Sequence, residues 1–238
     1  MKKIIIVALI LLGGFSAKAQ NLDTFFKQAD AFFKANVLNG KVAYDAIKKV
    51  RSSLDEVLKT ADGISVTKSD TKDYQAFWIN AYNLSVIKGL IDNYPAKSPL
   101  DDKGFFDKTK HSLGGKSIVL NDIEHKLLRA QFKDPRYHFV LVCGAVGCPP
   151  LISKAYMPNT LEAQLQKQAE LALNGTYFIK VNAKKKRVEG SKILEWYKED
   201  FTMNGKTEIE YINTIRKEKI PADYKLTYFE YDWKINKQ

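Results

Sequence analysis

Cys143 and Cys148 are the first residues of this sequence whose type and spacing could do chemistry. They are the only cysteines in the chain, and a loop rich in glycine and proline over residues 144–150 surrounds the second one. In an oxidising compartment such a pair forms a disulfide, since a loop can bring two Cα atoms within the ~4.4–6.8 Å that a bridge requires. The leading interpretation is therefore a disulfide, and a pair of buried, reduced cysteines is the second.

A cysteine nucleophile is a further interpretation of the same pair. It requires a lowered thiol pKa, which a helix N-terminus or a neighbouring imidazole provides. His138 precedes Cys143 by five residues on a predicted strand, so the two side chains would face opposite sides. His125 could approach from the preceding helix. The alternative function is accordingly a cysteine- and histidine-dependent hydrolase or acyl transferase acting on envelope material.

Zinc coordination is another interpretation of the same cysteines. Cys143, Cys148 and two of His111, His125 and His138 could form a tetrahedral ligand set. The spacing between the cysteines is wider than is usual for a zinc knuckle. We therefore predict no metal and no other cofactor.

Glu124 and His125 are adjacent on a predicted helix over residues 122–131 and could both face a cleft. Asn121 precedes this helix as a candidate N-cap, and Glu124 stands at the third position of a capping box, which is its favoured role. His125 is either an ordinary hydrogen-bonded histidine or a group that contacts ligand or transfers a proton, and the same holds for His138. The candidate catalytic residues, with no role assigned, are Cys143, Cys148, His125, His138 and Glu124.

Asn80, Tyr82, Asn83 and Arg136 are the candidate ligand-binding residues. The two asparagines lie one turn apart on an apolar helix, where an unsatisfied amide would cost ~1–3 kcal/mol. We expect them to bind the backbone of the loop over residues 144–150, with ligand contact as the alternative. Arg136 could bind an anion, although a salt bridge to Glu124 or Asp200 is favoured.

The elements that must position these residues begin with helices. Apolar residues recur at helical spacing over residues 22–37 and 44–58, and the stretch from Asp73 to Asn93 is apolar on nearly every side. A helix of that kind belongs at the centre of the protein. Helices are also predicted over residues 160–173, from Ser191 as N-cap to 200, and over 208–218.

Strands are predicted in the second half of the chain. Hairpins are indicated over residues 111–120 and 177–189, a last strand over 226–231, and an apolar, β-rich segment over 137–143 should lie inside a sheet. The fold class is therefore α+β, with N-terminal helices around a buried central helix and a small, mostly antiparallel sheet flanked by further helices.

Five ordered blocks of this sequence resemble the family known as domain of unknown function 547. The resemblance covers about residues 65–201, and one position departs from the pattern, since Gly147 stands where serine is expected. It implies family membership but no reaction, because the family has none established that could be transferred. The blocks are Phe77-Trp78-Ile79-Asn80-Ala81-Tyr82-Asn83, Ile123-Glu124-His125, residues 134–139, residues 143–151, and Ser191-Lys192-Ile193 with Trp196-Tyr197 and Asp200-Phe201.

Residues 1–19 have the pattern of a secretory signal peptide. Lys2 and Lys3 precede an apolar run over residues 4–12, and a small-residue triplet ends at Ala19, so cleavage is predicted before Gln20. The apolar run is too short to span a bilayer, and we find no second run that is long enough. We expect an exported protein, periplasmic or secreted, with residues 20–238 as a single globular domain.

The formal charge of the whole chain is +11, and three of its lysines lie in the predicted signal peptide. A lysine-rich solvated surface is the favoured explanation, although an anionic envelope polymer or membrane surface could also bind it. Export makes nucleic acid an unexpected partner. The function predicted from the sequence is a binding or assembly module with a polar cleft, whose partner is unknown and could be an envelope polymer or a protein.

Overall fold

The first third of the chain is helical, as the spacing of its apolar residues predicts. The computed structural model describes residues 21–238, and the predicted signal peptide lies outside the described residues. The helices are α1 over residues 21–36, α2 over Tyr44–Lys49, α3 over Ser52–Asp62, α4 over Thr71–Asp92, α5 with consecutive pieces Leu120–Asp122, Ile123–Arg129 and Ala130–Phe132, α6 over Leu161–Asn174, α7 over Lys192–Trp196, α8 over Lys198–Phe201 and α9 over Glu208–Ile215.

Helix α4 is the central helix that the sequence predicts. Its side chains are buried on every side, including Trp78 and the polar residues Asn80 and Asn83. A helix without a polar face can be stable only when other elements cover it completely. Helices α2, α3 and α5 supply that cover, so α4 is the framework against which the candidate site is built.

The single helix predicted over residues 44–58 is two helices, α2 and α3. The side chain of Val50, which the periodicity assigned to the buried stripe, is 69% exposed between them. Leu54, Val57 and Leu58 of α3 are buried. The chain breaks at residues 50–51, and α2 and α3 each pack on α4.

The prediction of a buried strand over residues 137–143 is wrong in conformation, although the segment is buried. Residues Pro135–Phe139 form a 3₁₀ helix, because Pro135 occupies its first position and the Asp134 side chain accepts a hydrogen bond from the backbone N–H of Arg136. Residues 141–143 have no regular structure. Within this segment the backbone N–H of Val142 donates to Asn83 of α4 instead of to a strand.

Within residues 21–238 the strands form three small sheets, and the hairpins predicted near residues 111–120 and 177–189 are both present. The pairs β1–β2, β3–β4 and β5–β6 are antiparallel, whereas β7 joins β6 in parallel. The α+β fold class is thus confirmed. The strands are β1 Val37–Leu38, β2 Lys41–Val42, β3 Lys110–Leu113, β4 Lys116–Val119, β5 Ile179–Asn182, β6 Arg187–Gly190 and β7 Lys225–Tyr228.

The buried apolar side chains of the described residues form two clusters. The larger one surrounds α4, and the smaller one joins α6 to β5, β6 and helices α7 to α9. Tyr231 packs against both clusters. In the part of the chain that is described, residues 21–238, no helix has the length and apolar character needed to cross a bilayer.

Candidate functional site

A cavity of about 560 Å³ opens among α4, α5, the cysteine segment, α7 and the C-terminal segment. This volume lies within the range of small-molecule sites, which is about 300–1,000 Å³. Six of the candidates chosen from the sequence line it: Tyr82, Glu124, His125, His138, Cys143 and Cys148. The remaining lining residues are Phe106, Asn121, Arg129, Leu141, Ile193, Trp196, Tyr197, Tyr231 and Trp233.

Glu124 is the buried carboxylate of this cavity, with a relative exposure of 7%. The hydroxyl of Tyr82 donates a hydrogen bond to its Oε2 at 3.5 Å. Burial raises the pKa of Tyr82, Tyr197 and Tyr231, and the negative charge of Glu124 raises each of them further. All three tyrosines line the same cavity as Glu124, so phenol groups are the main polar groups beside this carboxylate.

The capping box predicted for Asn121 and Glu124 is absent. Helix α5 already begins at Leu120, and no side-chain hydrogen bond caps it. From Ile123 to Arg129 the helix is of the wider π type. With no capping role, Glu124 is turned into the protein interior. π-Helical turns inside α-helices are frequent at functional sites, and this one carries three residues that line the cavity.

The Asp200 carboxylate binds two side chains that line the cavity, Arg129 and His138. Its Oδ2 lies 2.6 Å from Arg129 Nε and 2.6 Å from His138 Nε2. Burial acts to raise the pKa of Asp200, but the hydrogen bonds from His138 and Arg129 outweigh it and hold that pKa well below its usual value. Asp200 is therefore an anion at neutral pH, and it balances the charge of Arg129.

Arg129 also determines which ring nitrogen of His125 accepts a hydrogen bond. Arg129 Nη1 lies 2.6 Å from His125 Nδ1. Because a guanidinium can only donate, Nδ1 must be the unprotonated nitrogen of that imidazole. Tyr197 completes this group, since its ring stacks on His138 at a centroid distance of 4.0 Å and carries the Arg129 guanidinium at 4.6 Å.

The sulfur atoms of Cys143 and Cys148 lie 2.32 Å apart, at disulfide distance, and their Cα atoms lie 6.3 Å apart. The Tyr231 hydroxyl lies 3.0 Å from the first sulfur and 2.9 Å from the second. The described residues show no hydrogen bond from His125 or His138 to either sulfur; these histidines face Arg129 and Asp200. The imidazole–thiol contact that a cysteine nucleophile requires is thus not formed.

The C-terminal segment brings Tyr231 to the cysteines. The backbone N–H of Val146 donates to Lys234 O, and that of Gly147 donates to Asp232 O, both at 2.8 Å. A Cβ atom on Gly147 would lie 2.9 Å from the Tyr231 ring, which is too close for a side chain at this position.

Three aromatic side chains form one side of the cavity, and we call Trp196, Tyr231 and Trp233 the aromatic wall. The ring centroids of Trp196 and Tyr231 lie 4.9 Å apart, and the planes of the two tryptophans differ by 29°. Trp196 remains 48% exposed. Trp196 therefore offers the cavity a large apolar ring surface that the protein leaves partly uncovered.

Asn80 and Asn83 do not line the cavity. Asn83 donates to Val140 O and accepts from Val142 N–H, both at 2.9 Å, and Asn80 binds the backbone of Tyr156. The expectation that they bind backbone is confirmed, but the segment expected, residues 144–150, is wrong. The turn of the chain at residues 139–142 places Val140 and Val142 next to α4 instead.

Arg136 is also outside the cavity, and the salt bridges predicted for it are wrong. Its guanidinium pairs with Asp134 and Glu162 at 2.6 and 2.5 Å. Helix α6 carries Glu162 to this position, whereas Glu124 lines the cavity and Asp200 binds Arg129 and His138. Arg136 thus ties the 3₁₀ helix to α6.

The zinc arrangement weighed from the sequence is not formed by the described residues. His111 lines a different cavity, between α3, α4 and β3. Across residues 21–238, no group of three or more His, Cys, Asp or Glu side chains could hold a metal ion.

Sequence reasoning missed Arg129, Tyr231 and Trp233 as cavity residues. Tyr231 is 88 residues from Cys143 in sequence, so no local spacing could have connected them. The available signal was the aromatic run over residues 228–233, where four of six residues are Tyr, Phe or Trp.

Residues 66–171 match the family model described as "Protein of unknown function, DUF547". The resemblance recognised in the sequence is thereby confirmed over this range, which contains Tyr82, Glu124, His138 and both cysteines. The C-terminal block from Ser191 lies beyond the matched range. No curated protein and no solved structure matches the chain.

Proposed function

We propose that this protein, a member of the DUF547 family over residues 66–171, is an exported binding module that holds a ligand in the cavity between Glu124 and the aromatic wall. Export rests on the signal-peptide pattern of residues 1–19. The cavity has the size of a small-molecule site and combines aromatic walls with a few polar groups, which is the usual composition of such sites.

The observation that carries this proposal is the contact of the Tyr231 hydroxyl with both cysteine sulfurs. Paired sulfurs under a phenol hydroxyl cannot act as a resting nucleophile, because only a free thiolate attacks. The cysteines in this proposal form a disulfide that fixes one wall of the cavity. A binding module therefore fits the arrangement better than a cysteine-dependent hydrolase or acyl transferase.

Alkylation tests whether the cysteines are available for catalysis. Native, unreduced protein should show no mass increase with iodoacetamide, and protein that is reduced and unfolded first should gain two carbamidomethyl groups. Rapid labelling of one cysteine in the native, unreduced protein would favour the hydrolase or acyl transferase instead.

Binding is tested with three small probes of different charge: choline, N-acetylglucosamine and glutarate. At least one should shift the fluorescence of wild-type protein, and the shift should be lost in Trp196→Ala. If none of the three probes binds, the proposed binding role is contradicted.

N-terminal sequencing of the protein from its native host tests export, and a retained Met1 would contradict it.

A further inference from the structure

We infer that the ligand of this cavity presents an organic ammonium group to Glu124 and the aromatic wall. The inference rests on the proposed binding role and adds to it the chemical class of the ligand. It follows from the charges that the cavity contains, those that it lacks, and the type of apolar surface beside them.

Glu124 is a buried carboxylate without a bonded cation: the nearby Arg129, whose pKa its charge helps to raise, pairs with Asp200 instead. Glu124 forms no ion pair with any described residue, and its polar neighbours are the phenols of Tyr82 and Tyr197. Phenol hydroxyls can hydrogen-bond a carboxylate but cannot neutralise it. Because burying a charge is costly unless it is paired, a positively charged ligand group is the missing partner.

The described lining of the cavity offers no unpaired lysine or arginine to an anionic ligand. The whole chain has a formal charge of +11, yet no lysine is found among the described lining residues. Arg129 lines the cavity, but its guanidinium binds Asp200, and it donates to His125. A phosphate or carboxylate would therefore meet Glu124 without meeting a free positive charge.

The aromatic wall also favours a positively charged ligand group. The face of a tryptophan ring attracts a cation through the ring quadrupole, and Trp is the best of the aromatic residues in this respect. Trp196 is half exposed at the cavity. A cavity that joins a buried carboxylate to tryptophan faces selects an ammonium group, and it accepts apolar substituents on the nitrogen.

A pair of probes of equal shape separates charge from shape. Choline carries a quaternary nitrogen, and 3,3-dimethylbutan-1-ol has a neutral carbon in the same place. Two of the three tryptophans, Trp196 and Trp233, line the cavity, whereas Trp78 is buried in the core and gives a constant background. Titrations followed by fluorescence should show that wild-type protein binds choline at least tenfold more tightly than the alcohol.

Glu124→Gln removes the charge and keeps the size of the side chain. It should reduce the preference for choline to less than threefold and leave the affinity for the alcohol unchanged. Glu162→Gln is the matched control, since it makes the same change in a 74% exposed side chain outside the cavity. The control should keep the wild-type preference, which shows that net charge alone does not cause the effect.

Equal affinity of wild-type protein for the two probes overturns the inference, and so does a choline preference that survives Glu124→Gln. The wild-type comparison needs no variant, so it decides the question even if Glu124→Gln does not fold. If N-acetylglucosamine binds at Trp196 and choline does not, the ligand class is wrong and the binding role stands. If no probe binds, both are wrong.

Discussion

Asn83 Oδ1 accepts a hydrogen bond from the backbone N–H of Val142 at 2.9 Å, so a side chain of α4 acts as the strand neighbour of the cysteine segment. The Asn83 amide also donates to Val140 O at 2.9 Å. One amide can do both because its oxygen accepts and its nitrogen donates. This pair of bonds holds the segment that leads into Cys143 against the central helix.

Replacing Asn83 with alanine should destabilise the protein by about 1–3 kcal/mol, because it leaves two buried backbone groups of residues 140 and 142 without partners. Asn80→Ala should cost a similar amount, since Asn80 binds both the N–H and the C=O of Tyr156. Chemical denaturation measures both effects. Asn159→Ala, on an exposed residue, is the control. Unchanged midpoints in the first two variants would contradict a structural role for the buried amides.

The same contact explains why part of the fold could not be predicted. Residues 137–143 have the composition of a buried strand, and their burial was predicted correctly. Composition cannot show that Asn83, 59 residues away in sequence, replaces a neighbouring strand. Asp134 and Pro135 start the 3₁₀ helix that replaces the beginning of the predicted strand.

Long apolar helices and hairpins with glycine turns were predicted well because their patterns are local. Helix α4, the β3–β4 hairpin and the cap at Ser191 depend on residues within a few positions of each other. The cavity depends on chain segments that meet only in the fold. Glu124 was assigned to a cap from local spacing, whereas in the fold it lines the cavity beside Tyr82 and Tyr197.

The double variant Cys143→Ser with Cys148→Ser tests the contribution of the disulfide to stability. A bridge that closes so short a loop should stabilise the fold by about 2 kcal/mol, mainly by restricting the unfolded chain. The variant should therefore unfold at a lower denaturant concentration than unreduced wild type. Reduced wild type serves as the reference, because it should lose most of the same amount. Equal stability of all three forms would show that no bridge forms.

Gly147→Ala tests the contact between the cysteine loop and Tyr231. The added Cβ would lie 2.9 Å from the ring, so we expect a loss of roughly 1–3 kcal/mol from overpacking. The cost should fall when Tyr231 is also replaced by alanine, and a double-mutant cycle measures this coupling. Additive losses would indicate that the ring does not limit this position.

His111 should make stability depend on pH between about 4 and 6.5. Burial, assisted by the nearby charge of Lys88, lowers its pKa to about 4, and its Nε2 has no hydrogen-bond partner among the described residues. In the unfolded chain the pKa of histidine is about 6.5. The stabilising effect of the neutral imidazole is complete above 6.5 and is lost as the pH falls toward 4.

The slope in this window should reach up to about 1.4 kcal/mol per pH unit. Urea unfolding of wild type and His111→Gln at pH 7, 6 and 5 measures it. The wild type should lose stability over this range, and the variant should lose less. Parallel curves for the two proteins would show that this histidine is not protonated on unfolding.

Asp200 should make stability depend on pH in a more acidic range than His111 does. His138 and Arg129 hold its pKa below the usual value, so the charged form is stabilised in the folded protein. The contribution of Asp200 to stability is complete above its unfolded pKa of about 3.9 and is lost as the pH falls below that pKa.

Asp200→Asn should cost roughly 1–3 kcal/mol at pH 7, since the partly buried Arg129 then lacks its counter-ion. The difference between wild type and variant, measured by urea unfolding at pH 7, 4 and 3, should shrink toward the acid end. A difference that stays constant down to pH 3 would mean that Asp200 acts through its shape alone, and the charge balance that leaves Glu124 as the uncompensated anion of the cavity would then be wrong.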